Sequence, residues 1–400
     1  TVATEHPAHK VWSAAFVVLQ IALSLVLLVA AALFVRTLSN LHRQALGVDD
    51  AKLLVFNVDA SQNGYSGDRL ISVYSDLIHR LEAIPGAEAA SAARLRLFSG
   101  WVSNGVIRTP GGDVKPSMQL NTNAVGPDFA RTTGMRLLAG RDITWADIEG
   151  RRRVAVMNEA AAQHFFGSLN VVGRRYSQGV TYDAAGDYEI VGVVSNAKYS
   201  RVRGDFPKTA YVPFTAASSS LHGLYFHIRA ARDPLALAAS VRTAIQQLDS
   251  SLAVTQMDVM TTQVADSLWQ ERLFARITSV FSGLALTLAC VGLYGTISYA
   301  VGRRRSEIAV RMALGARYTQ VLWMILRQAM VFGIAGVLVG TVLALWTSTY
   351  ISSLLYGLTS RDPATLAGTA LLLVAVVMLA GYLPARRAAL VDPAGALKGD

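Results

Sequence analysis

Residues 277–320 read ITSVFSGLALTLACVGLYGTISYAVGRRRSEIAVRMALGARYTQ. The stretch from Ile277 to Val301 carries no charge, and the following segment, residues 302–320, sets Arg303, Arg304, Arg305, Arg311 and Arg317 against Glu307 alone. A bilayer core of ~30 Å is crossed by about 20 apolar residues at ~1.5 Å rise each. The apolar run is therefore a membrane span. The arginine cluster behind it is the excess that short loops keep on the cytoplasmic side.

Working outward, three more spans are expected, at 11–35, 321–346 and 364–384. The first is broken only by Ser13, Gln20 and Ser24. In the third, Arg327 stands within two turns of the end, where its stem can snorkel to the headgroups. The tail at 385–400 adds Arg386, Arg387 and Lys398, whereas the loop at 347–363 balances Arg361 with Asp362. Residues 1–10, the 302–320 loop and the tail are thus expected in the cytoplasm, and the long segment 36–276 outside it. The first span is longer than the ~7–15 residues of a signal-peptide core and runs on into Arg36-Thr37-Leu38, so it reads as retained. The chain begins at Thr1 rather than Met, which points to sequence upstream or to a leader already removed.

Composition agrees. The chain is 52% hydrophobic and 16% charged with mean hydropathy +0.36, against roughly a quarter charged in soluble domains. That excludes a disordered chain, and the one cysteine, Cys290, excludes a disulfide scaffold. The formal charge of +10 would suggest nucleic acid in a soluble protein; in a membrane protein it reads as cytoplasmic arginine, with no nucleic-acid partner.

The fold class expected is a membrane α-helical protein of four transmembrane helices with a large extracytoplasmic α/β (α+β) domain between helices 1 and 2. Within 36–276, Leu53–Ala60 is apolar enough for a strand, and Gly64-Tyr65-Ser66-Gly67 turns the chain with Ser66 at a helix N-cap. Asp68–Ile84 then repeats apolar residues at helical spacing until Pro85-Gly86. A second unit repeats this grammar, with strands at 224–228 and 252–257 around a helix opened by Asp233-Pro234. The two units predict a split β-α-β layer over 50–116 and 215–262. Between them, 117–214 reads as an inserted β-rich subdomain with strands at 153–157, 188–194 and 210–214 and a helix at 158–166. From Met260 the pattern is helical without a break into the second span, a stalk over 260–276.

Several chemistries are excluded or weak. A phosphate-cradling loop needs Gly immediately before Lys, and no lysine of this sequence follows a glycine. There is no HExxH, and His222 and His227, five apart, fall on opposite faces of a strand. Ser195-Asn196-Ala197-Lys198 matches SxxK but follows a strand and lacks KTG or SDN partners. Gly64-Tyr65-Ser66-Gly67 fails the nucleophile elbow, because Asp68 stands where Gly is needed. No enzyme, no metal and no directly bound cofactor is expected.

In the spans, Gly336 and Gly340 share one helix face, suited to close packing within the bundle or to a dimer contact. Gln20 is a lone polar group expected to form an interhelical hydrogen bond. In Arg303–Ala316, Ser306 is placed to cap a short helix, Glu307 and Arg311 pair at i,i+4, and Ile308, Met312 and Leu314 give an apolar side ended by Gly315. Such a helix either anchors at the membrane surface or docks a partner.

The order of one span, a large domain and three spans, with RRRSEIAVRMALGA after the second span and PARRAALVDPAGALK at the end, resembles FtsX-like permeases of the MacB type, the membrane subunits of type VII ABC transporters. VMNEAAAQHFFGSLNVVGRRY (156–176), YEIVGVVSNAKY (188–199) and AYVPF (210–214) resemble segments of the MacB-type periplasmic core. The first span, VVLQIALSLVLLVAAALFVRTLSNL, is similar to the second half of duplicated permeases. The resemblance implies a bacterial inner-membrane protein with both termini cytoplasmic. It implies a cytoplasmic ABC ATPase dimer, using ATP, that docks on the helix carrying Arg303, Arg304, Arg305, Glu307, Arg311, Leu314 and Gly315. It implies a second permease unit, as homodimer or fused half, contacts with membrane lipid, and in some systems a periplasmic adaptor. ATPase closure would be transmitted along the stalks to drive export or extraction of a periplasmic or membrane substrate. Since no ATPase motif lies in this sequence, that subunit is expected to be separate. The alternative function is a transmembrane signalling scaffold that regulates an envelope enzyme or sensor.

Overall fold

The computed structural model describes residues 7–110, 119–179, 181–198, 200–216, 221–314, 317–351, 355–358 and 362–389. It has two compact units, Gln44–Trp269 and Thr1–Arg43 with Gln270–Asp400. Helix α1 (Pro7–Arg43) opens the second of these and runs past the expected end of the first span. Arg36, read from sequence as the first residue of the outer domain, is therefore helical.

Unit Gln44–Trp269 begins with β1 (Leu53–Val58), α2 (Gly67–Glu82), β2 (Ala87–Ala93), β3 (Asn104–Arg108) and β4 (Gln119–Val125). It continues through α3 (Phe129–Thr133), β5 (Leu137–Gly140), α4 (Trp145–Glu149), β6 (Val154–Asn158), α5 (Glu159–Phe166), β7 (Arg175–Gln178), β8 (Tyr188–Val194) and β9 (Thr209–Pro213). It closes with β10 (Leu224–Ala230), α6 (Ala238–Leu248), β11 (Val254–Val259) and α7 (Met260–Ser267).

The first and last of these strands form an antiparallel layer in the order β11-β1-β10-β2. This is two β-α-β halves interleaved, each helix crossing between strands that are not neighbours. Helix α2 buries Leu70, Ile71, Tyr74, Leu77, Ile78 and Leu81, the i, i+3, i+4 stripe of an amphipathic helix. Tyr74 sets its ring edge-on to Phe226, which stacks on Phe56 at 5.5 Å. Its hydroxyl accepts from the Ala60 amide at 3.1 Å and donates to the carbonyl of His222, so a buried phenol is satisfied at both positions.

The middle strands do more than decorate this layer. β4 pairs with β3, β3 with β7, β7 with β8, β8 with β6, β6 with β9, and β9 with β4 again. Six strands thus close on themselves, leaving no free edge in the ring. Ile107, Leu120 and Tyr176 are fully buried, and Tyr176 stacks on Tyr188 at 5.5 Å. β5 pairs outside the ring on β8. The ring meets the layer through the Ala93–Val125 pair of β2 and β4, and Phe129 fills the seam against Tyr211 and His227. Because β3 belongs to the ring, the inserted subdomain starts before 117 and the layer's first half ends before 116.

The expected continuous stalk is also corrected. α7 stops at Ser267, and Leu268, at φ −100° and ψ 18°, separates it from α8 (Trp269–Arg303). The Leu268 amide bonds back three residues to Ala265, and Ser267 Oγ donates to the Val264 carbonyl at 2.7 Å, which tightens the last turn and ends the i to i−4 ladder. Leu268 itself is buried.

One buried charge in the ring's periphery is fully satisfied. Asp147, the third residue of α4, accepts from Thr144 N (3.0 Å), Thr144 Oγ1 (2.8 Å) and both terminal nitrogens of Arg141 (2.5 and 3.0 Å). Burial alone would raise its carboxyl, but the Arg141 fork and the Thr144 donors outweigh burial and hold it below the usual carboxylate range. Its stabilising contribution is therefore full above the unfolded carboxylate value of ~3.9 and is lost as pH falls through the lower folded value. Asp147→Ala should lower stability at neutral pH by about 1–3 kcal/mol. Hydrogen exchange at ring amides checks this, and unchanged protection would show the fork to be dispensable.

Candidate functional site: the short helix and the membrane bundle

Among the described residues four helices are long and apolar enough to cross a membrane: α1, α8, α10 (Tyr318–Ile351) and α11 (Pro363–Ala389). Between α8 and α10 lies α9 (Arg305–Ala313). Arg303 ends α8 and Arg304 occupies the N-cap of α9, its amide bonded to the Val301 carbonyl at 3.1 Å. Ser306, expected at the cap, is instead the second residue inside the helix. The helix starts earlier because α8 and α9 are separated by Arg304 alone, which leaves no extended residue before Ser306.

α9 has two faces. Ile308 is 4% exposed and belongs to the bundle core with Ile297, Val321 and Ile325, and Met312 packs beside it. Opposite, Glu307 and Arg311 pair at 2.5 Å with side chains 51% and 50% exposed. Arg311 also contacts Met324 Sδ at 3.1 Å, tying the pair to α10. Leu314, expected on one apolar side with Ile308 and Met312, instead sits at the C-cap and is 83% exposed, because the helix ends at Ala313. By helical spacing it joins Glu307, Val310 and Arg311 on the outward face. Val310 is exposed as well, an apolar residue that helical spacing alone places beside the charged pair. The side chain of Arg305 and the whole of Gly315 lie outside the described residues.

The bundle beneath is held by small residues. The buried stripe of α10 includes Ala329, Gly333, Gly336, Gly340, Ala344 and Ser348. A Cβ on Gly336 would lie 2.4 Å from Ile21 Cγ2, and one on Gly340 would lie 2.9 Å from the Ala22 carbonyl oxygen. Both glycines therefore let α10 approach α1 of the same chain. Gln20 does not make the expected interhelical hydrogen bond: its Oε1 is buried against Gly292 of α8 with no partner among the described residues. Within the apolar run, α1 is bonded to α8 by Ser24, whose Oγ donates to the Ala285 carbonyl at 3.1 Å. A hydroxyl one turn further on has the shorter reach that so close a pair of helices admits. At one end of the bundle, Arg36 pairs with Asp362, the residue that caps α11 through the Thr365 amide at 2.8 Å. At the end that holds α9, Arg387 of α11 donates to Tyr294 of α8 at 2.8 Å.

The weaker sequence motifs go to structure. Ser195 Oγ accepts from the Arg136 amide at 3.0 Å, and Lys198 is buried, donating to the Gly204 carbonyl and lying 4.4 Å over the Phe206 ring. His227 is enclosed in β10, and burial pushes its imidazole down to about 4, so it is neutral at physiological pH.

Residues 14–248 match the model of the MacB-like periplasmic core domain, and residues 279–393 match that of the FtsX-like permease C-terminal region. The "Macrolide export ATP-binding/permease protein MacB" of Chromobacterium violaceum is 28% identical over 283 residues, 68% of this chain and 42% of that protein. The "Pyoverdine export ATP-binding/permease protein PvdT" of Pseudomonas syringae pv. tomato is 25% identical over 312 residues, 72% of this chain and 46% of that protein. The chain thus spans less than half the length of these curated relatives. Among solved structures, the periplasmic region of MacB from Actinobacillus actinomycetemcomitans aligns over 56% of this chain and 98% of its own, with 14% identity and a TM-score of 0.38.

Gly340→Ile should separate α10 from α1 and cost about 1–3 kcal/mol by overpacking. Gly295→Ala, where an added Cβ meets nothing within 4 Å, should be neutral or stabilising. Thermal unfolding in detergent compares the two, and equal melting temperatures would refute the close approach.

Proposed function

We propose, from the premise that this chain belongs to the MacB-like periplasmic core domain family and carries an FtsX-like permease region, that it is the membrane subunit of an ABC transporter in which an ATPase docks on α9. The observation that carries the reading is the split of α9: one side is locked into the bundle by Ile308, and the other offers Val310 and Leu314 beside the Glu307–Arg311 pair. A helix that only anchored at a membrane surface would gain most by burying its exposed apolar pair in lipid and has no use for a fixed ion pair between those residues. A groove in a partner has use for both: the apolar pair fills it and the charges set orientation.

In this reading the ATPase works as a dimer, engages α9 and its arginine-rich flanks from the cytoplasm, and supplies all nucleotide chemistry. Its closure displaces α9, and with it α8 and α10. The displacement reaches the outer domain through the two covalent connections that join it to α1 and α8, and drives export or extraction of a periplasmic or membrane substrate. A second permease unit completes the assembly. The relatives' names pair permease with ATP binding and with export of macrolide or pyoverdine, which supports the coupling and leaves the cargo of this chain to experiment.

Replacing Glu307 and Arg311 together by Ala removes a helix pair worth only about 0.2–0.5 kcal/mol, too little to unfold the bundle. Association with the ATPase should nonetheless fall, since losing a buried charged contact at an interface costs ~2–5 kcal/mol. Co-purification of the ATPase is the measurement, and retention at wild-type level with intact transport would sink the docking assignment. Orientation has its own test. A cysteine at Ser250 should label with a membrane-impermeant maleimide in intact cells and one at Glu307 should not; the opposite pattern would invert the topology.

A further inference from the structure

Within Arg131–Arg175 eight arginines stand against four acidic residues, whereas the rest of the stretch from 36 to 276 is balanced. Short-loop charge bias cannot account for this, because long domains do not follow that rule. The fold gathers much of this excess at one place. Arg141 after β5, Arg152 and Arg153 before β6, and Arg175 at the start of β7 line a cavity of about 440 Å³ whose floor includes Val154 and Val191. The carboxylates lining it are Asp187 and Glu189.

These charges are not equivalent. Arg175 is held by Asp187 at 3.3 Å and by Glu189 at 3.2 Å, and Arg141 is held by the Asp147 fork. Both cavity carboxylates are thus bonded to Arg175. Arg153 donates to the Gly186 carbonyl at 3.1 Å and lies 5.9 Å over the Tyr188 ring, contacts that orient its guanidinium without neutralising it. The Arg152 amide donates to the Asp147 carbonyl at 2.9 Å, but its side chain has no hydrogen bond or ion pair among the described residues. Two adjacent guanidinium groups therefore face the cavity uncompensated, in a site whose remaining side chains are fixed.

We propose that this cavity binds a small phosphate-bearing ligand, with Arg152 and Arg153 as its recognition groups. Guanidinium forks match the paired oxygens of a phosphate, and two of them on consecutive residues bring charge and geometry together. The volume admits more than a bare ion, so the phosphate is carried either by a free solute or by a lipid headgroup. Asp187 and Glu189 limit the tolerated charge and favour a ligand whose anionic end meets the arginine pair alone. The site lies wholly within the unit Gln44–Trp269 and stands independently of the docking role of α9.

The test uses the full chain in a neutral detergent at low salt, titrated calorimetrically with inorganic phosphate and, separately, with short-chain phosphatidylglycerol below its micelle concentration. Phosphate-bearing probe should bind, and Arg152→Gln with Arg153→Gln should weaken it at least about tenfold, the cost of charge-assisted contacts. Arg80→Gln with Arg242→Gln, the same charge change elsewhere on the domain, should leave it unaltered. Tighter binding of the lipid than of phosphate assigns a headgroup, and equal binding assigns a free solute. Both Arg152 and Arg153 are exposed, so the variant should fold, and circular dichroism checks that. No heat from either probe, or equal binding by both double variants, overturns the proposal.

Discussion

In hydrocarbon, apolar side chains gain little by leaving lipid for one another, so the membrane unit depends on how closely α1 and α10 approach. Gly336 and Gly340 set that distance, since Ile21 and Ala22 occupy the space their side chains would need. The approach brings backbone against backbone over several turns and lets dispersion accumulate. Other contacts of the bundle build on it. Ser24 reaches the Ala285 carbonyl, and Arg36 reaches the cap of α11, only because α1 is already seated. The outward faces of α8 and α10 remain apolar and exposed, with Phe281, Leu288 and Val342 among them, as helices that cross hydrocarbon require.

The outer domain solves a different problem in water. Its layer buries one face beneath α2 and α6 by ordinary amphipathic packing, and its ring removes the edges that six strands would otherwise expose. The seam between them pairs Ala93 of β2 with Val125 of β4, bonded through Arg94 N to the Ala124 carbonyl and Gly126 N to the Ala92 carbonyl at 2.8 Å each. It is filled by Phe129, Tyr211 and neutral His227. The aromatic packing adds cohesion to that backbone pairing.

Spans, arginine-rich loops and the two β-α-β halves were legible in the sequence because each is a local pattern: a hydropathy run, a charge count, a 3.6-residue stripe. Ring closure was not. β3 (NGVIR) and β7 (RYSQ) are short and polar, and they become strands because neighbours more than fifty residues away complete their hydrogen bonds. The helix break at Leu268 carries no Gly or Pro, so nothing local announces it; burial of Leu268 and a tightened turn produce it. Gln20 and Ser24 were both visible as polar residues in an apolar run, but which one bonds across the helices depends on interhelical distance, which periodicity does not give. The outward stripe of α9 was half visible. Glu307 and Arg311 follow from spacing, whereas Leu314 changed sides once the helix ended one residue before it. The arginine cavity was illegible for the same reason as the ring, its members being drawn from three separate strands.

The positions of the two joints give the structure its mechanical character. Arg304 separates α8 from α9, and Leu268 separates α8 from α7. Between them lie 35 helical residues without proline, about 52 Å at ~1.5 Å per residue. A hydrogen-bonded helix resists stretching and bends gradually, so sharp changes of direction concentrate where the i to i−4 ladder stops. At Arg304 the joint is braced: Ile308 is buried in the bundle and Arg311 touches Met324, so α9 is held to α8 and α10 together. At Leu268 the domain side is braced instead, with Met260, Gln263 and Leu268 all buried.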